Sequence, residues 1–162
     1  MKRILCYIGI LAAVLVWPVE RLDVGKLCPV QVVSVYKKDN WVVIETDTED
    51  IGFGATARQA LENLEDTTSG VIYLDTAQYL LLSKDAEDAV EDLRDELKPS
   101  VQLCFTTQAV NLQEAAVFLA AHGKLPELKA WKTGQELPVL STFGKRLTFL
   151  KKVEKRELTN GG

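Results

Sequence analysis

An uninterrupted apolar run near the start of the chain, Ile4 to Trp17, constrains this sequence more than any other feature. It follows Lys2 and Arg3, contains Ile4, Leu5, Ile8, Ile10, Leu11, Val14, Leu15 and Val16 with no charge, and stops at Pro18. A basic start followed by an apolar core of this length is the pattern of a secretory signal. Its helical length is about 21 Å, short of the roughly 30 Å hydrocarbon core. Length therefore favours a signal core over an ordinary span. The cleavage pattern is missing, because Trp17-Pro18-Val19-Glu20-Arg21 offers no small residues one and three before a cut. A lipid-bearing cysteine is missing too: Cys6 lies inside the run, and Cys28 comes too late. The expectation for residues 1–18 is a signal or an uncleaved membrane anchor. In an anchor, Trp17 sits at the interface and Lys2 and Arg3 snorkel on the cytoplasmic side. The alternative is a buried N-terminal helix in a cytosolic protein.

Residues 19–157 are expected to form one α+β domain, with a disordered tail over residues 158–162. The domain can bury a core without disulfides or metals. Hydrophobic residues at 47% and charged residues at 26% fit a globular chain. A net charge of −4 argues against a dedicated nucleic-acid binder. The charge is uneven: Asp47 to Glu96 holds fourteen acids and three bases, and Lys145 to Glu157 holds six bases and two acids. The bland reading is a solvated acidic helix face and a basic tail. The sharper one puts the tail on anionic lipid headgroups.

Val30 to Val35 and Trp41 to Thr46 are β-rich runs around Lys37-Lys38-Asp39-Asn40, so a hairpin is expected from about Pro29 to Asp47. Its runs are apolar in part on both faces, so one or both strands should be covered. Gly52-Phe53-Gly54-Ala55 lacks the further glycine or Gly-Lys-Ser/Thr of a phosphate loop, and reads as a flexible turn into a helix. Thr56 can cap that helix with Gln59, and Ala57, Ala60, Leu61 and Leu64 share a face. Val71 to Leu74 and Tyr79 to Leu82 read as strands. An acidic helix should begin near Asp85, with Ala86, Ala89, Val90, Leu93 and Leu97 as its stripe and Pro99 as its end. Val101 to Phe105 reads as a strand. Asn111 caps a third helix with Glu114, and Gly123 should stop it. The pattern weakens from Leu125 to Gly144, and Arg146 to Val153 reads as a last short strand. The fold class expected is α+β: a mixed sheet with three amphipathic helices packed on it, preceded by the N-terminal membrane or signal helix.

The chemical inventory is sparse. His122, the only histidine, suits a helix C-terminus by the dipole. One histidine and three scattered cysteines lack zinc-ligand spacing. Cys28 or Cys104 with His122 could form a nucleophile pair, although alternation within a strand favours burial of Cys104. A Cys28–Cys104 disulfide is open if the domain is exported. Asp85-Ala86-Glu87-Asp88 lacks the EF-hand pattern and its glycine. No catalytic, cofactor or metal residue is assigned.

Val19 to about Trp131 resembles the N-terminal domain of spore germination receptor C subunits, the GerAC-like family. Trp17-Pro18-Val19-Glu20-Arg21-Leu22-Asp23 stands where the family has an Arg-Glu-Leu-like patch after its signal. Ala55-Thr56-Ala57-Arg58-Gln59-Ala60-Leu61 is similar to its small-x-x-x-Ala-Leu helix. Ile72-Tyr73-Leu74-Asp75-Thr76-Ala77-Gln78-Tyr79-Leu80-Leu81-Leu82-Ser83, leading into an acidic helix, is the closest match. Val101 to Thr106 and a helix complete the pattern. Family members are lipoproteins with two further domains, and this chain has no cysteine at the lipid position. The resemblance implies a membrane-tethered, extracytoplasmic, non-catalytic interaction module on the cell membrane, the spore inner membrane being one such surface. It implies a membrane or envelope protein as partner. The alternatives are a sporulation or envelope structural protein without a receptor role, and an exported Cys/His enzyme.

Overall fold

The computed structural model describes residues 27–122, 124–144 and 146–150. The anchor or signal over residues 1–18, the tail over residues 158–162 and the helix stop at Gly123 lie outside the described residues. Among the described residues no helix is long and apolar enough to cross a membrane.

The fold grows from a hairpin. β2 (Val32–Lys38) and β3 (Trp41–Thr46) pair antiparallel, with Lys38 opposite Trp41. Asp39 and Asn40 both take positive φ, at 50° and 67°. That is the two-residue turn whose twist suits a hairpin, and Asp and Asn tolerate it best after glycine. At the other end, the Asp47 carboxylate accepts the Gln31 and Val32 amides at 3.0 and 3.2 Å, which fixes where β2 begins.

β4 (Ile51–Gly54) adds to β3, placing Phe53 opposite Val43. Gly52-Phe53-Gly54 is therefore an edge strand and not a flexible turn. Its glycines are required by close packing. A Cβ on Gly52 would fall on the Ala60 carbonyl and within 2.7 Å of the Leu64 amide nitrogen, and one on Gly54 would come within 2.5 Å of the Ala60 nitrogen. The helix they admit is α1 (Ala57–Thr67), which buries Ala57, Ala60, Leu61 and Leu64 as its spacing predicts. Thr56 Oγ1 accepts the Gln59 amide, while Gln59 Oε1 takes the Ala55 amide, one residue earlier than an ideal capping box.

The chain then crosses to the other side of β2. β6 (Tyr79–Ser83) and β7 (Gln102–Thr106) follow in parallel, then β8 (Val139–Phe143) in parallel and β9 (Arg146–Leu150) antiparallel. The order is β4-β3-β2-β6-β7-β8-β9 in one mixed seven-stranded sheet. β1 (Leu27–Pro29) and β5 (Val71–Tyr73) form a separate parallel pair.

The acidic helix is shorter than its stripe suggests. A 3-10 turn at Lys84–Ala86 precedes α2 (Ala89–Leu93), and only turns follow to Leu97. All five stripe residues are still buried. Like charges three or four apart, such as Glu87 with Glu91 and Asp88 with Asp92, repel, and acids at the C-terminal end oppose the dipole. α3 (Leu112–Ala121) starts as read, with Asn111 Oδ1 accepting the Glu114 amide at 2.9 Å.

Two cores result. α1 and α2 cover one face of the sheet, over Val33, Val35, Ile44, Leu80, Leu82 and Leu103. The weakly patterned loop joins this core through Leu128, Trp131 and Leu137. The loop is held by Arg94, which donates to the Leu128 and Trp131 carbonyls at 2.8 and 3.2 Å. α3 covers the opposite face, over Val32, Leu81, Cys104 and Leu140.

Candidate functional site

Among the described residues α3 is the helix on its side of the sheet, and it leaves Trp41, Ile51 and Phe53 about half exposed. Strand pairing puts Trp41, Val43 and Glu45 of β3 on the same face as Ile51 and Phe53 of β4 and Ser34 and Tyr36 of β2. Trp41 is 51% exposed, Ile51 47% and Phe53 56%. The Trp41 and Phe53 rings meet edge to face at 6.4 Å, and Val43 is buried beneath its neighbours. Aromatic residues are enriched at protein contact sites relative to the rest of a protein surface.

A cleft of about 460 Å³ adjoins this face. It lies at the carboxyl ends of β2, β6 and β7, where the chain runs one way from β2 to β3 and the other way from β6 to β7. Such switch points leave a crevice because neighbouring connections diverge. Much of its polar lining is already paired. Lys37 Nζ binds Asp88 at 2.7 Å, Ser83 Oγ donates to Asp85, and Thr106 Oγ1 donates to the Gln108 carbonyl at 2.6 Å. Burial, then the Glu45 carboxylate, raises the Tyr36 phenol above its ordinary pKa. The Lys37 ammonium, by its hydrogen bond, holds Asp88 below the usual carboxylate range. A second hollow, of about 250 Å³, lies between the β3–β4 turn and the start of α3. Glu45 and Val110 line both hollows.

Cys104 sits in the α3-side core with no exposure, and burial pushes its thiol up to about 12. His122 caps the exposed end of α3, its Nδ1 2.7 Å from the Phe118 carbonyl and its ring stacked on Phe118 at 3.8 Å. The helix-end reading of His122 holds. One ring stands in solvent while the thiol is sealed, so no substrate reaches both groups. Cys28 packs on the α1–α2 side, across the sheet from Cys104, and no disulfide joins them. Asp85 and Asp88 are drawn apart, toward Ser83 and Lys37. Among the described residues no three His, Cys, Asp or Glu side chains gather at a cation position. A thiol of that pKa is about one part in ten thousand ionised at pH 8. Cys104 is therefore expected to resist iodoacetamide in the native domain and react only on unfolding, as peptide mass spectrometry would show.

No protein-family model matches this chain, and no curated protein or solved structure shows significant similarity to it.

The sequence reading missed the uncovered face. Its signal was the Trp41-Val42-Val43-Ile44 run, apolar on both sides of a strand. The run implies cover for one or both strands, and among the described residues Val43 is buried on that side while Trp41 stays half exposed.

Proposed function

We propose that the chain is a membrane-tethered, extracytoplasmic, non-catalytic interaction module, resembling the first domain of spore germination receptor C subunits. It binds a membrane or envelope protein through the uncovered face of β2, β3 and β4. The observation that carries this reading is the exposed Trp41–Phe53 pair with Ile51 beside it. The apolar run Ile4 to Trp17 supports the tether.

Fractionation of the native host tests the reading. The chain is expected in the membrane fraction, and protease added outside intact protoplasts should degrade residues 27–150. A chain found only in the cytosol overturns it.

A further inference from the structure

The charges around the uncovered face restrict what can cover it. Glu45, Asp47 and Glu49 line the hollow between β3, the β3–β4 turn and the start of α3, and Asp85 lines the neighbouring cleft. Lys37 and Lys38 are the bases on that lining, and Lys37 is paired to Asp88. The Asp47 carboxylate is held by two backbone amides, so its charge is fixed in place. Glu49 stands on the exposed turn at φ 68°, beside Asp50 and Ile51. The Ile51 end of the apolar strip is therefore flanked by the Glu45 and Glu49 carboxylates, while Lys38 stands beside Trp41 at the other end. A second copy of this chain would set those carboxylates against their own kind, and like charges across an interface oppose association.

We infer that the occupant of this face is an amphipathic segment of a partner protein with one apolar stripe flanked by Lys or Arg. This rests on the interaction reading above and names the chemistry of its partner. The apolar stripe covers Trp41, Phe53 and Ile51, and the basic flank lies over Glu45 and Glu49. Charge selects the partner and its approach, while the aromatic pair holds it.

The test uses the full chain in nanodiscs of zwitterionic lipid, labelled with 5-fluorotryptophan and observed by fluorine NMR. A Trp41→Phe variant assigns the Trp41 resonance. Two synthetic amphipathic helices share one leucine stripe, one flanked by lysine and arginine and the other by glutamate. The basic peptide should shift Trp41 and bind about tenfold tighter than the acidic one. That preference should shrink several-fold in Glu45→Gln/Glu49→Gln, and binding should be lost in Trp41→Phe/Phe53→Ser, followed there by a fluorophore on the peptide. Equal or stronger binding of the acidic peptide at Trp41 overturns the inference and leaves the interaction reading standing. A Trp41 shift that grows with protein concentration alone assigns the face to a second copy and overturns it. If neither peptide moves Trp41, both the partner chemistry and the docking role of this face fall.

Discussion

Gly52→Ala is expected to destabilise the domain by about 3 kcal/mol and to lower its melting temperature on the order of 10 °C. The added methyl meets the Ala60 carbonyl and the Leu64 amide of α1, which are backbone atoms and cannot swing aside. α1 must then lift off β4, and Ala60 and Leu64, both fully buried, lose contact with the sheet. Gly134→Ala provides the control. Gly134 has φ +85° but nothing within 4 Å of a new Cβ, so only backbone strain of about 1 kcal/mol applies. Urea unfolding of both variants separates the mechanisms. Equal losses would show that α1 does not depend on close approach to β4.

The second large effect is on association. Trp41→Ser/Phe53→Ser should weaken partner binding about thirtyfold or more, because paired aromatics in a contact carry roughly 2 kcal/mol or above. Its cost to folding should be about 3 kcal/mol, from the half-buried area of the two rings and their edge-to-face contact. Native gel electrophoresis of gently solubilised host membranes should move the chain from a complex to its free position. A double variant that unfolds would instead mark the pair as a stability element, and urea unfolding of the purified chain distinguishes the two outcomes.

What the sequence disclosed follows its local signals. The β2–β3 hairpin is written in two β-branched runs around Asp39-Asn40. α1 and α3 are written in their caps and in apolar residues spaced by three and four. The stripe of α2 was legible, but its length was not, because mutual repulsion of its acids is a sum over the whole segment. β4 was obscured by glycines that serve packing against α1, a contact that exists only after folding. Leu128, Trp131 and Leu137 carry no periodicity, since an irregular loop held by Arg94 brings them to the core. The uncovered face was hidden for a related reason. A strand apolar on both sides announces two covers, and its sequence does not show that Trp41 and Phe53 stay half exposed among the described residues. Cys104 and His122 were legible one at a time, as a buried strand residue and a helix end.

A partner seated on the face that bears Trp41 and Phe53 would lie within reach of position 53. A photo-crosslinking amino acid at position 53, expressed in the native host, tests it most directly, with position 117 as control. Val117 is 74% exposed, on α3. One discrete adduct with a membrane or envelope protein is expected from position 53, lost when Trp41→Ser is added, and none from position 117. No adduct from position 53, or the same adduct from both positions, would contradict it.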